Sequence, residues 1–337
     1  TPFEELKHIF EPVITKAIEV KKMADLPKLV DILKKVAKED PSIKVEINDQ
    51  TGESLISGMG ELHLEIIENR IKTEKGLDVK TSAPIIVYRE GVQKTSPAYE
   101  GRSPNKHNSF YIKVAPLEDE IYQKIQSGEL PQIRIKKKNE EITKVLSGMG
   151  WGSDEIRNVK EIYKGNLLLD ETRGEVHIGE VIEMVMDAFE MVMKQGPLAR
   201  EPCMKMKVSL VDIKLHEDAI HRGPAQVYPA VREGIQESMK QAAPVLLEPL
   251  QIHLIEMPDR FLSAVTKLVG GKRGQMLNVK QEGIQAEMSA KLPVAEMIGW
   301  SSDLRSATEG RGVSSLVDQL FEKVPAGIQS EIIRKIR

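Results

Sequence analysis

One order of elements occurs twice in this chain, and that constrains the fold more than any single motif. Near the amino end, Val13 to Lys21 reads as a strand. Leu26, Leu29, Val30, Leu33 and Val36 then recur at helical spacing behind Asp25, a candidate N-cap. Ile43, Val45 and Ile47 alternate with polar residues, Asp49 to Gly52 turns the chain, and Ser54 to Ser57 returns as the second strand of a hairpin. A helix carrying Leu64, Ile67 and Ile71 follows, and the stretch from Leu77 through Ile85, Ile86 and Val87 supplies a last strand. The result is βαββαβ, a ferredoxin-like unit. The far end repeats it, with a strand from Leu250 to Ile255, a helix through Leu262, Val265 and Leu268, and then Ile284, Ala286, Met288, Ala290 and Leu292 in alternation. Glu11, Pro12, Val13, Ile18 and Glu19 also share their spacing with Glu248, Pro249, Leu250, Ile255 and Glu256, which fits a duplication or two independent strand starts.

With 337 residues the chain is about twice a typical ~150-residue domain, so several cores are expected. The class is α+β in three domains: residues 1–91 and 243–337 ferredoxin-like, the latter with a C-terminal helix, and residues 92–242 between them. In that middle region Met206, Val208 and Leu210 alternate, after which the phase slips to Val211, Ile213 and Leu215, predicting a long strand with a bulge. Val227, Val231, Ile235 and Met239 recur every four residues as one face of a helix. Between strand and helix lies Leu215 to Pro224, with two imidazoles, Arg222, Glu217 and Asp218. Asp218 can cap the turn, Gly223 offers a backbone conformation closed to other residues, and Pro224 discourages a continuing strand. A loop so built projects its centre, which puts His221 at an exposed tip.

Composition and spacing remove several functions. There are 48 Lys and Arg against 51 Asp and Glu, a formal charge of -3, so any nucleic-acid contact must be local. A lone cysteine, Cys203, rules out an internal disulfide or a four-thiolate zinc site and suits a reducing, cytoplasmic compartment. No apolar run approaches the ~20 residues of a membrane helix, so no membrane contact is expected. The clusters at Gly58 and Gly60, at Gly148, Gly150 and Gly152, and at Gly270, Gly271 and Gly274 all miss the spacing of a phosphate loop. In the first unit Phe3, Phe10 and Tyr88 are the only aromatic side chains, so bases cannot stack along its central strand. His216 and His221 could be half a metal site, or could join Cys203 in a nucleophilic dyad. A free-standing metal or thiol hydrolase is therefore the alternative reading.

Four segments carry cations suited to RNA: Lys136 to Lys138, the Arg305 and Arg311 region, the loop Ser103-Pro104-Asn105-Lys106-His107-Asn108, and the loop from His216 to Gly223. By composition the first three fit solvated surface as well as they fit a binding site. The fourth reads as a functional loop whose chemistry stays open.

Leu215 to Gly223, LHEDAIHRG, resembles the diphthamide loop of archaeal and eukaryotic members of the elongation factor G and elongation factor 2 family of translational GTPases. SPNKHN at Ser103 to Asn108 is similar to a second tip loop of the same domain. SGMGELHLE at Ser57 to Glu65, GKRGQ at Gly271 to Gln275 and GWSSDLRSATEGRG at Gly299 to Gly312 resemble other family segments. Pro224 and Ala225 favour the archaeal branch. Together with Thr1-Pro2 in place of an initiator Met, this suggests the carboxy-terminal part, domains III, IV and V. The resemblance implies a ribosomal-protein-like βαβ domain IV with a left-handed crossover between the two ferredoxin-like domains. It implies no catalysis, cofactor or metal here, GTP and magnesium belonging to the family's G domain. His221 would be the diphthamide residue, and Asn105, Lys106, His107, His216, Asp218, Arg222 and Gly223 tip residues contacting RNA. Arg305 and Arg311 would be rRNA contacts. Implied partners are ribosomal RNA of both subunits, tRNA and mRNA at the decoding site during translocation, diphthamide-synthesis enzymes and diphtheria-type ADP-ribosylating toxins.

Overall fold

The computed structural model describes residues 10–47, 54–135, 139–172 and 178–336. The expected turn at Asp49 to Gly52 and the lysines at Lys136 to Lys138 lie outside them. The chain forms two compact units, one of residues 1–88 with 248–322 and one of residues 89–247 with 323–337.

In the first unit β1 (Ile14–Val20), α1 (Leu26–Glu39), β2 (Lys44–Ile47), β3 (Ser54–Gly58), α2 (Glu61–Thr73), β4 (Val79–Thr81) and β5 (Ile85–Ile86) follow one another. The sheet order is β2-β3-β1-β4 with antiparallel pairing, and β5 adds to β1. Leu29, Leu33 and Val36 of α1 and Leu64, Ile67 and Ile71 of α2 close over Ile14, Ile18 and Ile56, as their spacing predicts. Two local expectations differ. Asp25 precedes α1 in a helical conformation and its side chain caps nothing, the helix starting instead with a proline in its first turn. The last strand is split into β4 and β5 around Pro84, which has no N–H for the ladder.

The second unit holds β6 (Arg89–Val92), β7 (Tyr99–Arg102), β8 (Ser109–Pro116), α3 (Asp119–Gln126), α4 (Glu140–Gly148), α5 (Ser153–Asn158), β9 (Val159–Tyr163), β10 (Asn166–Asp170), α6 (Ile178–Lys194), β11 (Met206–Lys214) and α7 (Pro224–Gln241). Its sheet runs β7-β8-β11-β10-β9. Only β10 and β11 pair in parallel, joined through α6 in a βαβ crossover. Leu168 faces the core beneath α6 and α7 with Phe110, Ile112, Phe189 and Val231, while Leu167 and Leu169 face the core beneath α3 and α4. Cover on both faces is why β10 reads as an unbroken apolar run. The bulge in β11 falls between Leu210 and Asp212, which leaves Val211 as the extra residue and returns Ile213 to the core. Packing of α7 against β7 is close: a Cβ at Gly101 would lie 2.0 Å from the Ala230 carbonyl oxygen.

After α7 come β12 (Pro244–Pro258), α8 (Leu262–Gly271), β13 (Gln275–Glu282), β14 (Gln285–Pro293), α9 (Trp300–Ala307), β15 (Val313–Lys323) and α10 (Ala326–Ile336). The order β13-β14-β12-β15 reproduces that of the first sheet element for element. Ile284, expected in the β14 alternation, is instead 76% exposed in the turn before it, beside Gly283 at φ 61°. The first four residues of β12 pair with β6. Residues 323–337 group with the second unit, where the Val324 N–H donates to the Leu246 carbonyl (2.9 Å) and the Leu246 N–H to Gln329 Oε1 (3.0 Å).

One guanidinium in the second unit faces four carboxylates. Arg134 meets Glu161 of β9 at 3.2 Å, Asp187 at 2.8 Å, Glu183 at 3.5 Å and Glu190, the last three along one face of α6. Burial, then a hydrogen bond with Glu190, pushes the Glu161 carboxyl up from its ordinary 4.5 to about 7. The folded state thus holds this proton more tightly than the unfolded chain. The stability it contributes is complete below about pH 4.5 and disappears as pH rises to about 7.

Two outcomes are expected. Glu161→Gln should flatten the loss of unfolding free energy between pH 5 and 7, roughly 1–3 kcal/mol in the parent, when denaturant titrations are compared across that window. Gly101→Ala should lower stability by about 1–3 kcal/mol through overpacking against α7, measured the same way.

Candidate nucleic-acid interface

Antiparallel pairing of β8 with β11 places Lys214 opposite Ser109. The chain leaving β11 therefore emerges beside the β7–β8 hairpin loop, and residues 103–108 and 215–223 share one end of the sheet. A turn closes the hairpin loop, the Lys106 N–H donating to the Ser103 carbonyl at 2.7 Å with Lys106 itself at φ 62°. Ser103 Oγ accepts from the Asn108 N–H at 3.0 Å and donates to Asn105 Oδ1, which also accepts from the His107 N–H at 3.1 Å.

Asn108 joins the two loops. It is fully buried, its Oδ1 accepts from the His216 N–H at 3.1 Å and its Nδ2 donates to the His221 carbonyl at 2.7 Å. One amide thus holds both ends of the segment 216–221. Asn105 adds a donor to the same His221 carbonyl at 3.3 Å, and its own N–H reaches Gln226 Oε1 on α7 at 2.9 Å. Between the clamped ends Asp218 accepts from the Ile220 N–H at 3.1 Å, capping a short 3-10 turn over Ala219–Arg222. The Asp218 N–H donates to His216 Nδ1 at 3.0 Å, so neutral His216 carries its proton on Nε2.

Three of the seven histidines meet here. Ring centroids of His107 lie 5.0 Å from those of both His216 and His221, and the latter two are 4.5 Å apart, nearly edge to face at 74°. Lys106 and His107 are exposed, His216 and His221 half-buried, and Ile220 stands 78% exposed at the apex. The surface thus offers imidazole N–H donors and an ammonium, groups that suit phosphate and 2′-hydroxyl oxygens.

Two expected contact residues have other work. Arg222 is 5% exposed and turned inward, its Nη1 donating to the His216 carbonyl at 2.9 Å and its Nη2 paired with Glu180 of α6 at 2.5 Å. It braces the loop from beneath. Gly223 lies at φ −71°, ψ 168° with open space where a Cβ would go, so the special backbone freedom expected of it is not used. Arg305 and Arg311 are exposed in the other unit, Arg305 on α9 and Arg311 just before β15. The Cys203 dyad fails on distance. Cys203 precedes β11 and the imidazoles follow it, and nine residues of strand span roughly 30 Å. Its thiol is also buried, which pushes its pKa well up. Asn108, Gln226 and Glu180 were not singled out by sequence. Asn108 stood inside a noted motif, whereas nothing local marks Glu180, which acts from α6 some forty positions away.

Three family models match in succession: "Elongation Factor G, domain III" over residues 9–83, "Elongation factor G, domain IV" over residues 131–243 and "Elongation factor G C-terminus" over residues 245–332. The imidazole loop lies within the second match, and the hairpin loop before it. Elongation factor 2 of Nanoarchaeum equitans is 53% identical across the whole chain, which covers 46% of that relative. The corresponding protein of Methanosphaera stadtmanae is 47% identical, again with 46% of its length covered, and that of Methanopyrus kandleri 48% identical with 27% covered. The chain thus spans less than half the length of these relatives.

Asn108→Ala should leave the His216 N–H and the His221 carbonyl short of a buried partner and lower stability by about 1–3 kcal/mol. Asn108→Asp keeps the acceptor but not the donor. Amide hydrogen exchange should then stay protected at His216 in the Asp variant and accelerate there in the Ala variant.

Proposed function

Since the chain belongs to the elongation factor G and elongation factor 2 family, we propose that it supplies the ribosome-contacting part of a factor that moves tRNA and mRNA through the ribosome at the expense of GTP. The unit built on the β7-β8-β11-β10-β9 sheet acts as the probe that enters the decoding region. His221 is the residue converted to diphthamide, with Asn105, Lys106, His107, His216 and Asp218 around it. The observation that carries this reading is the buried Asn108 amide, which fastens both ends of the His216–His221 segment to the neighbouring hairpin loop. A rigid base lets a short loop present a side chain at a fixed place. Codon paired with anticodon is an A-form duplex with a wide, shallow minor groove, and a cationic extension on His221 would lie along it and hold the pairing as the duplex leaves the decoding site.

The chemistry of GTP hydrolysis lies elsewhere in such a factor. These residues contain no phosphate loop with its lysine and magnesium-binding hydroxyl, so they bind and orient RNA without a covalent step of their own.

His221→Ala should change the unfolding free energy by less than about 1 kcal/mol, because the ring is partly exposed and the clamp uses the backbone carbonyl. The same substitution in the full-length factor should raise frameshifting during translocation. Normal frame maintenance with His221→Ala would refute the role given to the loop. The isolated chain should also give no saturable GTP binding at micromolar concentrations.

A further inference from the structure

A second cationic site lies in the same unit, away from the imidazole loop. A cleft of about 730 Å³ opens between the end of α6, the loop that follows it, the C-terminal half of α7 and Ile336 of α10. Arg232, Gln236 and Lys240 line it at four-residue spacing along α7, Gln195 and Arg200 face them, and no carboxylate borders it. Neither Arg200 nor Arg232 forms an ion pair among the described residues, whereas Lys240 meets Glu237 at 2.5 Å.

The loop bearing Arg200 is built and held. Arg200 adopts φ 63°, a left-handed conformation that disfavours a side chain with a Cβ. A carboxylate underneath fixes it there. Fully buried Glu90 accepts from the N–H groups of Leu198 (2.7 Å), Ala199 (2.8 Å) and Glu201 (3.0 Å). Gly196 leaves room for that carboxylate, since a Cβ there would lie 2.3 Å from Glu90 Oε2. Glu90 is therefore occupied by backbone, and the Arg200 guanidinium stays available. Strain retained in an exposed arginine by a buried acid marks a position whose side chain has a use.

We propose that this cleft is a second RNA-backbone contact, in which Arg200 and Arg232 take successive phosphates and Lys240 and the two glutamines flank them. Guanidinium forks suit phosphate oxygens, and positions eight apart on α7 rise about 12 Å, a length that follows a chain of phosphates rather than gripping one anion. The choice of RNA over an acidic protein rests on the reading of this unit as an RNA probe.

The test uses the whole 337-residue chain and a fluorescently labelled 30-nucleotide RNA hairpin, with anisotropy followed across a salt series. Arg200→Gly with Arg232→Ala, in which glycine accepts the left-handed backbone, should weaken binding several-fold. It should also reduce the slope of log affinity against log salt by about 1.4, roughly 0.7 for each phosphate released. Arg200→Lys with Arg232→Lys should recover most of the affinity. Unchanged affinity and slope in the first variant, with Lys106→Ala/His107→Ala weakening binding, would overturn the cleft and leave the imidazole loop standing. Loss in the first variant without loss in the second would do the reverse. Binding of polyglutamate that depends on the two arginines while hairpin binding does not would assign the cleft to an acidic protein and overturn the RNA contact.

Discussion

The register of β8 against β11 is the constraint from which the presented surface follows. Antiparallel pairing from Met206 opposite Pro116 to Lys214 opposite Ser109 brings two loops a hundred residues apart to one end of the sheet. Bulging at Val211 lets that pairing continue to the edge after the hydrophobic phase has slipped. Once the loops are adjacent, a single buried amide can bind both ends of one of them. An unpaired polar group at that depth would be unfavourable by about 1–3 kcal/mol, so the two loops hold their geometry together.

Cations in this chain divide by what surrounds them. Arg134 is met by four carboxylates, Arg222 is enclosed with Glu180 and the His216 carbonyl, and Arg273 makes a two-pronged pair with buried Glu248 at 3.0 and 2.9 Å. These guanidinium groups fasten segments and are not offered to a partner. Lys106, Arg200 and Arg232 stand exposed, and none of them forms an ion pair among the described residues. A net charge of -3 therefore conceals two local cationic surfaces on one unit, each fixed by buried polar groups beneath it.

The two ferredoxin-like sheets share one strand order but differ in finish. The first is completed by two short strands on β1, the second by a long β15 and by β6 at the start of β12. Identical topology with different edges is what a common βαββαβ order gives when hydrophobic alternation sets the centre and prolines and loop lengths set the rim.

The alternations and four-residue recurrences of the sequence were enough to determine the two βαββαβ modules, the bulged β11 and the buried face of α7, because local periodicity decides which side of an element is apolar. Motif spacing also determined the absence of a phosphate loop. Sequence marked the loops at 103–108 and 215–223 but could not join them, since their contact depends on strand pairing over more than a hundred residues. Nor could it separate the roles of neighbours: Arg222 and His221 adjoin in the chain, yet the loop turns one guanidinium into the protein and leaves the adjacent ring half in solvent. Gly223 carried a conformational expectation that its φ of −71° does not meet, whereas Lys106 and Arg200 hold the left-handed positions that no glycine announced. Backbone dihedrals at such points answer to the tertiary bonds around them, the Ser103 turn and the Glu90 carboxylate, and those bonds form only when distant segments meet.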